Sequence, residues 1–259
     1  MTQNKTGTRP TVQPGINPQG QGMTTSAGLR PVIDRPLKRD QIEFTPELRA
    51  ELRATLDAAL TEMHIKANDK QKNQLVESLA FLSEWNAVIN LTAIREPQAM
   101  LIQHILDSAS ILHFIPKEAT TLLDVGSGGG FPALPIAVLR PDLEVVSIDS
   151  VRKKTDYVNK AAEALGIGNL SAVHSRVQDH PVTYDVVISR AYASLRDFVV
   201  SSQGCVSPDD DALVLAMKGK FPSDEVAELA GSGWVVDRKR ALTEPHLEAE
   251  RCLLWLERA

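Results

Sequence analysis

One stretch of eleven residues restricts the fold more than any other part of this 259-residue chain. It reads Leu-Leu-Asp-Val-Gly-Ser-Gly-Gly-Gly-Phe-Pro from Leu122 to Pro132. An apolar run leads into a glycine-rich turn, and Pro132 suits the first turn of a helix. Glycine lets the backbone turn sharply and come close to a ligand. The stretch therefore predicts a buried strand, a ligand-binding loop and a helix, which together begin many doubly wound α/β sheets.

The spacing of the glycines separates two kinds of cofactor site. A nicotinamide dinucleotide site has the pattern G-x-G-x-x-G, with a helix N-terminus facing a pyrophosphate. Here Phe131 stands at the sixth position, so that pattern fails. A G-x-G-x-G pattern does hold from Gly126 to Gly130, with Asp124 two residues before it. This arrangement resembles motif I of S-adenosylmethionine methyltransferases, and it favours a methyltransferase over a dehydrogenase.

An acidic residue follows at the expected place. Asp149 ends the next predicted strand, 23 positions after Gly126. A carboxylate there can accept hydrogen bonds from both ribose hydroxyls of an adenosine, which fits either cofactor. The simpler alternative is that Asp149 and Ser150 only cap the helix that begins near Arg152, and the two roles can coexist.

From Thr121 onwards, short apolar strands alternate with helices. This alternation predicts an α/β fold with a doubly wound, mostly parallel seven-stranded sheet that has helices on both faces. No clear helix separates the last two strands, so we expect an antiparallel hairpin at one edge. The predicted strands are Thr121–Val125, Glu144–Ile148, Leu170–His174, Tyr184–Ser189, Asp211–Met217, Trp234–Arg240 and Arg251–Leu256. The predicted helices are Pro132–Leu139, Arg152–Leu165, Leu195–Gln203 and Ser223–Leu229.

The chain before the sheet consists of two segments that differ in composition. Residues 1–44 are predicted to be a disordered extension, because the segment up to Pro36 is rich in proline, glycine and polar residues. Residues 45–115 predict a helical subdomain packed on the catalytic core, and residues 116–259 the catalytic domain. Apolar residues at helical spacing in the subdomain are Leu52, Leu56, Leu60 and Met63; Leu75, Leu79, Leu82 and Trp85; and Ile102, Ile105, Ala109 and Leu112.

Composition excludes several other classes of protein. Two cysteines, Cys205 and Cys252, cannot form a disulfide scaffold or a four-ligand zinc site, so we expect reduced thiols and no metal. No apolar run resembles a signal peptide or a membrane span, which predicts a cytoplasmic protein. The net charge of −5 gives no sign of indiscriminate nucleic-acid binding. A nucleic-acid substrate would therefore need a local basic patch. We expect a monomer.

Several short sequence motifs, taken in order along the chain, resemble those of one family. This family is the bacterial small-subunit ribosomal RNA guanine-N7 methyltransferases, also called glucose-inhibited division protein B. The resemblance extends from about Asp69 to Lys220, and more loosely to the C-terminus. It implies a Rossmann-like methyltransferase sheet and 16S ribosomal RNA as partner. Besides the glycine-rich stretch, the motifs are Trp85–Thr92, His104–Ser108, Ser175–Gln178, Ile188–Ala193 and Met217–Gly219.

The same resemblance implies roles for individual residues. Gly126 and Phe131 line the cofactor pocket, Val177 and Gln178 lie beside the adenine, and Arg190 closes the site. Gln178 stands where many relatives have an acid. Together with Gly128 and Asp149, these residues form the predicted S-adenosylmethionine site.

The chemistry implied by this family needs no dedicated base. Guanine N7 carries a lone pair and no hydrogen, so alignment of the base with the methyl donor is the main requirement. After the fourth strand the chain reads Ser189-Arg190-Ala191-Tyr192, without the Asn/Asp-Pro-Pro-aromatic word of amino-group methyltransferases. No residue is therefore predicted as catalytic. The alternatives are a methyltransferase acting on a small molecule or a protein, and a non-catalytic RNA-binding assembly factor.

Basic residues near Asp149, the predicted cofactor-binding acid, predict where the protein contacts RNA. Arg152, Lys153 and Lys154 stand at a helix N-terminus, where the helix dipole disfavours cations, and Lys218 follows the fifth strand at the same edge of the sheet. The alternative is a solvated charge run with no function. A further pair, His104 and Asp107, is three residues apart and predicted to hydrogen-bond on one helix face as a structural element.

Overall fold

The computed structural model describes residues 42–209, 211–243, 245–247 and 249–259. The predicted extension, residues 1–44, lies outside this part of the chain except for its last three residues. The described residues form a seven-stranded sheet with helices on both faces. The strands are β1 Thr121–Val125, β2 Glu144–Asp149, β3 Leu170–His174, β4 Val186–Arg190, β5 Leu213–Lys218, β6 Trp234–Leu242 and β7 Arg251–Arg258. The helices are α1 Pro46–Glu62, α2 Asp69–Asn86, α3 Pro97–Met100, α4 Asp107–Ala109, α5 Ala133–Leu139, α6 Arg152–Leu165, α7 Leu195–Ser202 and α8 Ser223–Ala227.

The strand order is β3-β2-β1-β4-β5-β7-β6. The first five strands are parallel, and β7 pairs antiparallel with both β5 and β6. The predicted mostly parallel sheet with an antiparallel hairpin at one edge is confirmed. Strands β2 and β3 lie on one side of β1, and β4 and β5 lie on the other, so the direction in which strands are added reverses between β1 and β4. A crevice opens beyond the carboxyl ends of these two strands, where doubly wound proteins bind ligands.

Alternate residues of each central strand enter two different cores. Leu122 of β1 and Val145 of β2 face the core that contains α5 and α6, whereas Leu123 and Val146 face the core that contains α7. Both faces are therefore covered, which explains why the strands read as continuous apolar runs.

The N-terminal helices pack on the first of these faces. Leu56 of α1 and Leu79 of α2 are fully buried in the same core as Leu134 of α5. Asn68 and Gln71 form a capping box at the start of α2, because each side chain accepts a hydrogen bond from the other residue's backbone N–H. The division of the chain at residue 115 stays a prediction, but apolar residues from both sides of it share one core.

The third predicted helix differs from expectation. After α3 the chain continues as a π-helix over Leu101–Leu106 and then as α4. Leu101 is fully buried, while Ile102, predicted to face the core, is partly exposed. The wider turn of a π-helix changes which side chains face the core, and a prediction from the regular α-helical period does not include that change.

The other element bounds lie within two residues of the prediction. One such difference is at β4, which begins at Val186 because Tyr184 forms an isolated bridge with Val206 instead of joining β5. At the open edge of the sheet, β6 carries a β-bulge between Val236 and Arg238 and exposed cationic side chains. No helix in the described part of the chain is long and apolar enough to span a membrane.

Candidate functional site

A large cleft of about 850 Å³ lies beyond the carboxyl ends of β1, β2 and β3. Four of the seven residues predicted to bind the cofactor line it. These are Gly126, Asp149, Val177 and Gln178. Tyr192, for which the sequence predicted no role, forms part of the wall. The cleft therefore has the glycine turn at one end and a carboxylate at its side, as an adenosine site requires.

The glycine loop depends on left-handed backbone conformations. Gly126 has a φ of +72° and Gly128 a φ of +59°. A Cβ on Gly126 would lie 2.9 Å from Cδ2 of Tyr192, so a side chain there would displace the aromatic ring. A Cβ on Gly128 would contact nothing within 4 Å, so backbone conformation alone selects glycine at that position.

Asp149 holds the loop and the following helix together. Its Oδ1 accepts a hydrogen bond from the Val151 backbone N–H at 2.8 Å, and its Oδ2 accepts one from Gly128 N–H at 3.2 Å. The simpler alternative, in which Asp149 or Ser150 caps the helix, is not what the structure shows: the N-cap residue of α6 is Val151, and no described side chain caps the helix. The Gly128 contact joins the carboxylate to the predicted cofactor loop. The side chain is only 8% exposed, and it lies in the wall of the cleft.

Lys154 lies closer to Asp149 than the sequence indicated. Its Nζ is 3.6 Å from Asp149 Oδ2, and its side chain lines the cleft. Arg152 and Lys153 are exposed. The run at the start of α6 is thus divided between one residue beside the cofactor acid and two residues that a substrate can reach from solvent.

Asp124 lies beneath the glycine loop. It is fully buried, and its Oδ2 accepts a hydrogen bond from the Ala133 N–H at the start of α5. Burial raises the pKa of this carboxyl to about 7, against the opposing effect of the Ala133 hydrogen bond. Its Oδ1 has no hydrogen-bond partner among the described residues. Asp124 therefore supports the loop from inside and does not face the cleft.

Phe131 joins the loop to the π-helix. Its ring stacks on His104, with centroids 4.6 Å apart, and the Arg190 guanidinium lies 5.7 Å from the same ring centroid. Phe131 is 5% exposed and does not line the large cleft. It packs between the cofactor loop and a second, smaller pocket.

The predicted hydrogen bond between His104 and Asp107 does not form. His104 Nε2 lies 2.9 Å from Thr92 Oγ1, and Asp107 instead accepts hydrogen bonds from two arginines. Arg190 Nη1 is 2.7 Å from Asp107 Oδ2, and Arg251 Nε is 2.9 Å from Asp107 Oδ1. The π-helical segment turns the two side chains toward different neighbours. The carboxylate is only 3% exposed, so this is a buried ionic cluster.

The smaller pocket, of about 380 Å³, lies beside this cluster. Arg190 lines this pocket rather than the large cleft, and Lys218 also lines it. Lys218 Nζ forms an ion pair at 2.7 Å with Glu225. The remaining lining residues are Ile94, Gln103, His104, Asp107, Ala191, Met217, Gly219 and Arg251.

None of the described residues lining this pocket is a ready proton acceptor. Burial, and then the charge of Arg190, lowers the pKa of His104 to about 3, so its imidazole is a weak base. Both oxygens of Asp107 accept hydrogen bonds from guanidinium groups. The pocket is therefore suited to a reaction in which no proton is removed.

Comparison with known proteins supports the family predicted from the sequence. A family model described as rRNA small subunit methyltransferase G (GidB) matches residues 71–254. The ribosomal RNA small subunit methyltransferase G of Burkholderia ambifaria is 44% identical over 208 residues, covering 78% of this chain and 87% of the relative. That of Bordetella avium is 39% identical over 210 residues, covering 79% of this chain and 92% of the relative. The chain belongs to this family.

The protein is accordingly a methyltransferase, and S-adenosylmethionine, predicted from the glycine spacing, is its cofactor. Among solved structures, the mitomycin 7-O-methyltransferase MmcR matches with a TM-score of 0.51 and 16% identity, covering 83% of this chain and 73% of that one. At that identity the likeness shows the fold alone.

Several of the motifs that suggested the GidB family meet around the smaller pocket, whereas the motif Ser175–Gln178 lines the large cleft. Asn86 closes the turn up to Thr92, because its side chain bonds the backbone of Leu91 and Thr92. Thr92 in turn meets His104, which stacks on Phe131. Sequence reasoning missed Arg251, which lies 144 positions from its partner Asp107. Its sequence neighbours form no distinctive motif, so only the folded chain reveals the contact.

Proposed function

We propose that this protein transfers a methyl group from S-adenosylmethionine to N7 of a guanine in small-subunit (16S) ribosomal RNA. One observation carries the proposal beyond family membership: the predicted cofactor cleft and a base-sized pocket, in which no described residue is a ready proton acceptor, flank the same segment at the end of β4. Arg190 and Ala191 line the pocket, while Tyr192 lines the cleft. The family and its relatives are named as methyltransferases of small-subunit ribosomal RNA.

The cleft fits the cofactor by its chemistry. Asp149 offers a carboxylate to the ribose hydroxyls, Val177 and Gln178 lie where the adenine is expected, and Gly126 leaves room for close backbone approach. The bound cofactor supplies a methyl group on a positively charged sulfur. The N7 lone pair would form the new bond to carbon as the carbon–sulfur bond broke, and the electron pair of that bond would stay on sulfur. The base becomes cationic, and no proton leaves.

The residues of the chain then have to align the base and exclude water. Proximity and orientation supply most of the rate in a reaction of this kind. Ile94, Ala191 and Met217 provide apolar surface in the smaller pocket, and the arginines are fixed by a buried carboxylate. A guanine in a loop of folded RNA can be turned out of its stack into such a pocket.

The test is the modification itself. Small-subunit ribosomal RNA from cells that lack this protein is expected to miss one 7-methylguanosine, and expression of this chain should restore it. Chemical cleavage at 7-methylguanosine followed by primer extension locates the site. An unchanged cleavage pattern in deleted and complemented cells would contradict the ribosomal substrate. Methyl transfer to metabolites or proteins, or binding to RNA without any transfer, would then identify the two alternative functions.

Arg152 and Lys153 are proposed to bind RNA phosphates. Their replacement by alanine should weaken RNA binding and reduce the slope of log affinity against log salt by about 0.7–0.9 for each phosphate that is no longer neutralised. Affinity for S-adenosylmethionine should not change, because neither side chain lines the cleft. Lys154 is left intact since its Nζ lies beside Asp149. The double change Lys66→Ala and Lys70→Ala is a matched control near the start of α2, and an equal reduction of slope in that control would refute the patch.

We further propose that the protein acts as a cytoplasmic monomer. Both cysteines are free and buried, as suits a reducing compartment. The exposed Arg238, Lys239 and Arg240 of β6 oppose edge-to-edge pairing of sheets, and the bulge after Val236 interrupts the edge.

A further inference from the structure

The charges of the smaller pocket do not cancel. Three cationic residues line it: Arg190, Lys218 and Arg251. Glu225 balances Lys218, and Asp107 alone faces both arginines. One guanidinium is enough to neutralise one carboxylate. Counted over these five side chains, the cluster therefore has one positive charge in excess, in a pocket where the arginine side chains are only 19% and 21% exposed.

The two arginines differ in the donors that remain. Arg251 uses Nε for Asp107 and Nη1 for the backbone carbonyl of Glu250, so Nη2 is its one nitrogen without a hydrogen bond to a described residue. Among its hydrogen bonds to described residues, Arg190 uses only Nη1, which donates to Asp107 and to the carbonyl of Gln103. Arg190 thus retains two nitrogens in its planar fork, and Arg251 retains one.

The walls and rim of the pocket suit a flat base with acceptors on one edge. Ile94, Ala191 and Met217 supply apolar contact, while the arginines and Lys218 supply donors. Guanine presents two acceptors, N7 and O6, on its major-groove edge, whereas adenine presents N7 and a donor amino group. A rim of cationic donors accepts the first edge and repels the amino group of the second.

We propose that Arg251 selects guanine by donating a hydrogen bond from Nη2 to O6, with Asp107 holding the guanidinium in place. The inference rests on the proposed function and assigns the residue that recognises its base. A single available nitrogen contacts O6 and leaves N7 open to the methyl group. A two-pronged grip on O6 and N7, of the kind that the two remaining nitrogens of Arg190 allow, would cover the reacting atom.

The experiment compares Arg251→Met with the wild-type protein on small-subunit RNA from cells lacking this activity. Methyl transfer from labelled S-adenosylmethionine is measured at several RNA and salt concentrations. Removal of a hydrogen bond from a charged donor should raise KM for RNA roughly 10- to 100-fold. The kcat should not fall, because O6 becomes a poorer acceptor as the base becomes cationic, and the hydrogen bond is therefore no stronger in the transition state than in the ground state. Cofactor affinity by calorimetry should not change, and neither should the salt slope of RNA binding.

Two further variants complete the test. Arg258→Met removes an exposed arginine from the same strand, and KM should remain at the wild-type value. Arg251→Lys keeps a positive charge beside Asp107 but replaces the planar fork, with its separate Nε and Nη2, by a single nitrogen, so KM should again rise even if the methionine variant fails to fold. A wild-type KM in Arg251→Lys and Arg251→Met overturns the inference. So does a salt slope reduced by about 0.7–0.9, which marks a bound phosphate. If the wild-type protein itself fails to methylate this RNA, the proposed function fails instead.

Discussion

Replacement of Asp107 by alanine is expected to lower the free energy of unfolding by about 3 kcal/mol or more. The carboxylate is 3% exposed and is the acceptor for both Arg190 and Arg251. Removing one partner of a buried ionic cluster leaves the other charges without compensation, and such changes typically cost about 3–5 kcal/mol. The lower end applies here because the arginines retain some contact with water. Denaturant unfolding of the wild-type and variant proteins measures the difference.

A surface ion pair supplies the control for this prediction. Asp142 pairs with Arg140 at 2.8 Å, but its side chain is 57% exposed. Asp142→Ala should cost less than about 1 kcal/mol, since water and salt screen exposed pairs. If the two alanine variants unfold at the same denaturant concentration, Asp107 does not organise the cluster in the way that its hydrogen bonds indicate.

Replacement of Asp149 by alanine is expected to weaken the binding of S-adenosylmethionine by roughly 10- to 100-fold or more. This factor corresponds to the free energy of hydrogen bonds to a charged group. Two effects combine. The ribose hydroxyls lose their acceptor, and Gly128 loses the carboxylate that accepts its N–H at 3.2 Å, so the loop is less well ordered before binding. Calorimetric titration of the folded variant measures the affinity.

Asp156→Ala is the matched control for Asp149. Asp156 lies on α6, close in sequence to the cleft, but its side chain is exposed and does not line it. Cofactor affinity should stay at the wild-type value in this variant. An Asp149→Ala protein that is folded and titrates like the wild type would show that the adenosine is bound elsewhere.

Local patterns were sufficient for the fold and for four residues that line the large cleft. The apolar run before Gly126 and the glycines themselves act through neighbouring backbone, so a strand, a turn and a helix can be predicted from a single window. Asp149 could be identified because it ends the next strand, and parallel strands end at one edge of the sheet. The family motifs were equally local, and the comparisons confirm the family that they suggested.

The arrangement of charges in the smaller pocket was decided by tertiary structure. Sequence alone placed His104 against Asp107 on a regular helix, but the π-helix directs Asp107 to Arg190 and to Arg251, 144 residues away. It also grouped Lys154 with its neighbours, although packing places Lys154 against Asp149. A buried charge is stabilised by whichever opposite charges the fold brings within hydrogen-bond distance, and that distance is independent of separation along the chain. The sequence alone therefore determined the family, the sheet and the cofactor loop, and only the folded chain determined which charges meet in the pocket.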